Sequence, residues 1–176
     1  GSFEVDEKMG NNPEEIGRIK DNLMSLMQNE KFDLDSIVVT SSASPEGTVR
    51  FNERLSQKRS EGISEYFSKW MNHYQDSLER ERGFAVDEEG NIIIEKRTQI
   101  PMMGRSSGEN WQMLDRLVEK DTVMTEDEKK SYISSADIKD IDQRERFLQN
   151  LGCYRHMREK LYPHLRTVRF DFHLHR

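Results

Sequence analysis

Three polar residues of one segment have the types and the spacing to bind an anion. Asn52, Ser56 and Arg59 are separated by four and three positions, so they share one face of a predicted helix. The planar guanidinium of Arg59 suits a carboxylate. Two interpretations stay open. Either Asn52 and Ser56 satisfy the backbone of the preceding loop while Arg59 reaches solvent, or Arg59 points into a pocket under that loop.

The loop before this helix consists mainly of small residues, Ser41-Ser42-Ala43-Ser44-Pro45-Glu46-Gly47. Small side chains leave room and expose backbone donors. The loop follows a predicted buried strand, and ligands tend to bind beyond the carboxyl ends of strands in α/β sheets. The segment from Thr40 to Arg59 is therefore the predicted functional centre.

Other candidate sites are weak, and the sequence indicates a protein that is not an enzyme. Cys153 and His156 are three apart but have no assignable orienting partner, which favours a semi-buried structural cysteine. The loop serines lack the Gly-x-Ser-x-Gly frame of a hydrolase. His173 and His175 have a spacing that a metal could use, but an exposed chain end is the better interpretation. Asp137, Asp140 and Asp142 do not follow a calcium-loop pattern. We therefore predict no catalytic residues, no metal and no cofactor.

Composition and charge exclude several classes of partner. The 176 residues include 27 basic and 33 acidic side chains, a formal net charge of −6. No dense basic stripe is present, so neither nucleic acid nor a membrane surface is expected to contact this domain. The single cysteine allows no internal disulfide. No apolar run approaches the roughly 20 residues of a membrane span.

The first half of the chain predicts elements on both sides of the loop. A short strand is expected at 3–5, and Asn12 and Pro13 begin a helix. An apolar run predicts a buried strand at 34–40. Thr48 caps a long helix that is expected to end near Tyr74. The predicted apolar side of that helix consists of Leu55, Ile63, Tyr66 and Trp70.

The second half predicts a turn, a strand and a series of helices. The turn is expected at 87–91 and the third strand at Ile92-Ile93-Ile94. Met102-Met103 is assigned to core filling or loop packing. A helix is expected from Trp111 to Val118, and Thr125 to Glu128 form a capping box. Short helices follow near 142–150 and 154–161, and Pro163 closes the last one. The final strand alternates apolar residues from Val168 to Leu174 with polar ones.

This order of elements predicts an α+β fold with two layers. We expect a βαβαβ…β order, a small mixed sheet with helices packed on one face, and extra short helices before the last strand. Residues 1–176 are predicted to form a single domain, with a helical insertion at about 121–160.

The segment around the loop resembles a known family. The stretch S-S-A-S-P-E-G-T-V-R-F-N-E-R-L-S-Q-K-R-S is similar to the loop-and-helix signature of OmpA-like domains, matching at Gly47, Asn52, Leu55, Ser56 and Arg59. The A-S-P-E-G variant and the segment Tyr162-Pro163-His164-Leu165-Arg166 resemble the Bacteroides-type branch of this family. The resemblance covers the order of elements from Phe3 to the final strand.

The resemblance implies a periplasmic domain of the Gram-negative cell envelope that binds peptidoglycan and anchors an outer-membrane protein to the cell wall. In the family, a loop Asp meets the ammonium of diaminopimelate and a helix Arg meets its carboxylate. Here Arg59 holds the Arg position, but Ser44 stands where the family has Asp. A serine has no negative charge, which weakens binding by roughly 10- to 100-fold unless Glu46 restores it.

Five residues are thus the predicted stem-peptide site: Ser44, Glu46, Asn52, Ser56 and Arg59. Attachment to the outer membrane is expected through a region that precedes Gly1. The alternative is a degenerate OmpA-like domain that has lost diaminopimelate and acts in protein–protein assembly with other envelope proteins. Its contact surface would be the inserted short helices, with Trp111 nearby.

Overall fold

The protein is described by a computed structural model, which covers residues 2–6, 12–93 and 99–176. Its strands are β1 (Ser2–Asp6), β2 (Asp33–Ala43), β3 (Ala85–Val86), β4 (Ile92–Ile93), β5 (Met102–Glu109) and β6 (Thr167–His175). Its α-helices are α1 (Pro13–Met27), α2 (Val49–Arg82), α3 (Trp111–Lys120), α4 (Glu126–Ser134), α5 (Ile141–Gln149) and α6 (Tyr154–His156). A 3₁₀ turn at Ser135–Asp137 follows α4, while π-helical and 3₁₀ turns at Met157–Leu161 and Tyr162–Leu165 continue α6.

The main sheet has four strands in the order β1-β6-β2-β5. β6 runs antiparallel to both β1 and β2, whereas β2 and β5 are parallel. The sheet is therefore mixed, and the predicted α+β fold is confirmed. One cluster of buried residues joins α1 and α2 to this sheet, and its central members are Leu23, Ile37, Val39, Phe67 and Phe170.

The predicted helix starts are also confirmed. The Asn12 side chain accepts hydrogen bonds from the backbone N–H groups of Glu14 and Glu15. Thr48 accepts one from Phe51 at 3.2 Å. Thr125 and Glu128 form the reciprocal capping box. Each cap satisfies N–H groups that lack a partner within the helix, so these starts are fixed by local chemistry.

The prediction for α2 was wrong about its end and about two of the four residues of its apolar side. Ile63 and Trp70 do pack against the core. The helix continues to Arg82, well beyond Tyr74. Leu55 and Tyr66 are 43% and 48% exposed. The buried line of α2 runs instead through Asn52, Ser56, Ser60, Ser64, Phe67 and Met71.

The reason is the close approach of α2 to β5. A Cβ atom added to Gly104 of β5 would lie 2.5 Å from the backbone nitrogen of Glu61 and from the carbonyl carbon of Ser60. Only glycine and small side chains fit between a helix and a strand at this separation. Serines therefore occupy the buried face, and the larger apolar side chains at Leu55 and Tyr66 lie outside it.

The third strand of the main sheet was assigned to the wrong segment. Ile92–Ile93 pairs with Ala85–Val86 in a separate two-stranded hairpin, and Ile94 lies outside the described residues. The sheet strand is β5, which contains the Met102-Met103 pair assigned to packing. Its sequence, MMGRSSGE, has no β-branched or aromatic residue, so β-propensity does not reveal it.

The helices between β5 and β6 enclose a second cluster of buried residues, centred on Leu114, Leu148, Met157, Tyr162 and Leu165. The short helices predicted near 142–150 and 154–161 are confirmed. Pro163 lies inside the 3₁₀ turn that follows the last one. Within the ranges that the structure describes, no helix combines the length and apolar character needed to cross a membrane.

Candidate functional site

β2 continues through Ala43, so the small-residue loop begins at Ser44 rather than at the predicted Ser41. It lies where two parallel strands end side by side. Ala43, the last residue of β2, pairs with Glu109, the last residue of β5. The N–H of Asn110 donates to the carbonyl of Ala43 at 2.9 Å, which ties the two strand ends together. Gly47 has φ +93°, a conformation that disfavours other residues, and it leads into the cap at Thr48. The loop is therefore held from both sides.

Asn52 holds the end of β5 from the first turns of α2. It is 3% exposed, and its Nδ2 donates to Glu109 Oε2 at 2.6 Å. The indole Nε1 of Trp111 donates to the other oxygen, Oε1, at 3.0 Å. Burial raises the pKa of the Glu109 carboxyl, although these two hydrogen bonds act in the opposite direction. The Asn52 side chain therefore donates to the Glu109 carboxylate, and not to the backbone of the loop as one of the two interpretations expected.

Ser56 is fully buried one helical turn further along α2. Its Oγ donates within the helix to the carbonyl of Asn52 at 2.9 Å and is also hydrogen-bonded to Ser106 Oγ of β5. Ser106 Oγ in turn accepts from the N–H of Gly108. Asn52 and Ser56 thus both connect α2 to the final residues of β5.

Gln57 protects the edge of β5 that faces away from β2. Its Nε2 donates to the carbonyl of Gly104 at 2.9 Å, and its Oε1 accepts from the N–H of Ser106 at 2.9 Å. The side-chain amide therefore replaces the peptide group of a neighbouring strand. An open strand edge invites pairing with another chain, so this contact limits aggregation.

Arg166 links two of the predicted ligand residues. Its Nε donates to Ser44 Oγ at 3.2 Å, and its Nη2 lies 3.3 Å from Glu46 Oε2. Ser44 is 5% exposed, whereas the Glu46 side chain is 44% exposed. Arg166 was named from the sequence only within the segment that resembles the family. Its contact with Glu46 was not predicted, because 120 positions separate the two residues. A guanidinium is thus hydrogen-bonded to Ser44, the residue at which the resemblance implies an acid.

Arg59 lies on α2 beside the buried line, three positions after Ser56. It is half-buried. The structure therefore groups the five predicted residues in two sets. Ser44 and Glu46 meet at Arg166, while Asn52 and Ser56 face β5 with Arg59 at the margin of that face.

A buried carboxylate, which the sequence did not single out, lies behind this site. Glu145 is 2% exposed and accepts hydrogen bonds from the hydroxyls of Tyr154 and Tyr162, each at 2.8 Å. Burial, with added repulsion from Glu109 and Glu46, raises the pKa of Glu145 to about 7. The neighbouring residue on α5, Arg144, stacks on the Trp111 ring with its guanidinium carbon 4.0 Å from the ring centroid.

The weaker sequence candidates are placed as follows. Cys153 is buried, its thiol donates to Met157 Sδ, and burial raises its pKa. His156 Nε2 lies 3.0 Å from Asp121 Oδ1. His175 lies between Asp33 and Asp35 at the end of β6. Among residues 12–93 and 99–176, no three His, Cys, Asp or Glu side chains are grouped as a metal site would require.

Comparison with known proteins gives no assignment. No model of a known protein family matches the chain. A search of curated proteins finds no significant relative.

Proposed function

We propose that this chain is a non-enzymatic periplasmic domain of the cell envelope that binds the stem peptide of peptidoglycan. In this role it anchors an outer-membrane protein to the cell wall, as the resemblance to OmpA-like domains implies. Its partners are the wall peptide and other envelope proteins. Neither nucleic acid nor the membrane itself takes part.

One observation carries the proposal: the residues that match the family signature work together as one structural unit. Gly47 supplies the left-handed turn before α2. Asn52 binds Glu109, and Ser56 binds Ser106, so both tie the start of α2 to the end of β5. A chance match at fixed offsets has no reason to produce linked contacts across two strand ends and a helix.

The contacts divide the five site residues by role. Asn52 and Ser56 are buried and bonded inside the protein, so they hold the start of α2 against the end of β5 rather than touch a ligand. Glu46 and Arg59 keep exposed surface. We assign Arg59 to the carboxylate of diaminopimelate and Glu46 to its ammonium, with the hydroxyl of Ser44 on the Glu46 side of the site.

Replacing Arg59 with Ala should weaken binding of a diaminopimelate-containing muropeptide by roughly 10- to 100-fold, because a charged hydrogen bond to the carboxylate is lost. Isothermal titration calorimetry measures this change. Lys58→Ala is the matched control, since Lys58 is an exposed cation at the preceding position of the same helix. Equal weakening in both variants, or no binding by the wild type at millimolar ligand, would contradict the proposal.

The second candidate function is protein–protein assembly by a domain that no longer binds the wall. The contacts of Arg166 with Ser44 and Glu46 favour this candidate. Its guanidinium is bonded to the two residues that would have to receive the ammonium of diaminopimelate. In that case the wild type should not bind muropeptide, whereas Arg166→Ala should gain measurable affinity as Glu46 is released. Binding by the wild type that Arg166→Ala leaves unchanged would exclude this candidate.

A further inference from the structure

A second groove lies on a different face of α2 from the predicted stem-peptide site. It has a volume of about 600 Å³ and runs between the first turns of α2 and the end of β5. Arg50, Glu53 and Arg54 line one wall, and residues 106–108 form the other. The three charged residues are three or four positions apart or adjacent, so their side chains lie on one side of the helix.

The charged side chains of this groove form no hydrogen bonds or ion pairs with the described residues of the protein. Across residues 12–93 and 99–176, no hydrogen bond or ion pair engages the side chains of Arg50, Glu53 or Arg54. Two cations and one anion therefore face the same space without neutralising one another. Charges arranged in this way are available to a ligand that carries both signs.

The opposite wall is shaped by an irregularity in β5. Ser41 pairs with Ser106 and Ser42 pairs with Gly108, so Ser107 is an extra residue in β5. Bulges of this kind are common beside binding sites because they redirect the chain. Gly108 adopts φ +77°, and among the described residues a Cβ added there would come within 4 Å only of Glu53 Oε1, at 4.0 Å. Because Gly108 has no side chain, the groove is open above the backbone of β5 at this position. The Glu53 carboxylate lies next to that open space.

The acid of the groove lies toward the end of β5, where Glu53 Oε1 is 4.0 Å from a Cβ added at Gly108. Repulsion from Glu53 contributes to the raised pKa of Glu109, so these two acids lie near each other at the strand end. Arg50 and Arg54 lie one turn apart on α2 and can hold a carboxylate with paired N–H donors. An ammonium placed over Gly108 would meet Glu53.

We propose that this groove binds a zwitterionic amino-acid head group, with the carboxylate at Arg50 and Arg54 and the ammonium at Glu53. The site uses none of the residues assigned to the stem peptide, so it goes beyond the proposed function and does not depend on it. Its ligand class is a free α-amino acid or a molecule that ends in one.

Alanine tests this assignment directly, because two close analogues each remove one charge. N-acetylalanine lacks the ammonium, and alaninamide lacks the carboxylate. In ¹H–¹⁵N NMR titrations of the whole chain, alanine should shift the amide signals of residues 106–108 saturably. We expect alaninamide to bind about 10-fold more weakly, and N-acetylalanine several-fold more weakly. Equal binding of all three compounds, shifts confined to other residues, or no saturable shift would overturn the proposal.

Variants separate this groove from the predicted stem-peptide site. Arg54→Gln should weaken alanine binding about 10-fold, whereas Arg80→Gln, an exposed arginine near the other end of α2, should leave it unchanged. Glu53→Gln should remove the preference for alanine over N-acetylalanine. Arg59→Ala should not alter alanine binding, and a loss in that variant would assign the ligand to the other face of α2. The same NMR spectra report whether each variant is folded.

Discussion

Replacing Gly104 with Ala should lower the free energy of unfolding by about 3 kcal/mol, because a single methyl group has no space at this position. The new Cβ would lie 2.5 Å from the Ser60 carbonyl carbon and the Glu61 nitrogen, and 2.6 Å from the Ser60 carbonyl oxygen. All three are backbone atoms of α2, so no flexible side chain can move aside. The helix and the strand must separate, and the hydrogen bonds of Gln57 and Ser56 to β5 must lengthen with them.

Gly62→Ala is the matched control for this change. Gly62 is exposed in the interior of α2, and a Cβ there meets no atom of the residues that the structure describes within 4 Å. The same substitution should therefore stabilise the protein by roughly 0.5–1 kcal/mol, since alanine favours a helix over glycine. Urea unfolding followed by circular dichroism measures both variants. If Gly104→Ala unfolded at the same urea concentration as Gly62→Ala, the close helix–strand contact would be refuted.

The parts of the fold that could be predicted from the sequence are those that depend on neighbouring residues. The helix starts at Asn12, Thr48 and Thr125 depend on side chains within three residues of the groups they satisfy, and all three were predicted. The buried strands β2 and β6 were visible in their apolar patterns. These features are local, so a sequence pattern is sufficient to identify them.

The buried side of α2 and the strand β5 were not predictable, because each depends on the other. Serines at positions 56, 60 and 64 have the composition of an exposed face until Gly104 is known to lie against them. β5 likewise has no strand propensity of its own and gains its place from β2 and α2. For this reason the larger apolar residues Leu55 and Tyr66 were wrongly predicted to lie in the core.

The candidate site likewise has a part that could be predicted from local sequence and a part that could not. The spacing of Asn52, Ser56 and Arg59 indicated a shared helix face from sequence alone, and the first two do meet on the side toward β5. The partners that define their environment are distant in the chain: Glu109 lies 57 positions from Asn52, and Arg166 lies 122 positions from Ser44. No short motif contains either pair, so their contacts emerge only when the sheet is assembled.

Glu145 should make the protein less stable as the pH rises through neutrality. Its folded pKa is raised from 4.5 to about 7, so the folded state binds a proton that the unfolded state has already released. This contribution is complete below about pH 4.5, is lost progressively as the pH rises toward about 7, and falls no further well above that pH. We expect it to lower the free energy of unfolding by about 2 kcal/mol between about pH 5 and about pH 8.

Glu145→Gln isolates this effect, because glutamine has nearly the same shape but cannot titrate. Its amide oxygen can accept from one of the two tyrosines, and its N–H can donate to the hydroxyl of the other. The wild type should lose about 2 kcal/mol more than Glu145→Gln over the same pH range, as measured by urea unfolding at each pH. Glu109→Gln should give a smaller difference of the same sign, because the pKa of Glu109 is also raised by burial. Parallel pH profiles for the wild type and Glu145→Gln would mean that the carboxylate stays ionised, with the Tyr154 and Tyr162 hydroxyls compensating for its burial.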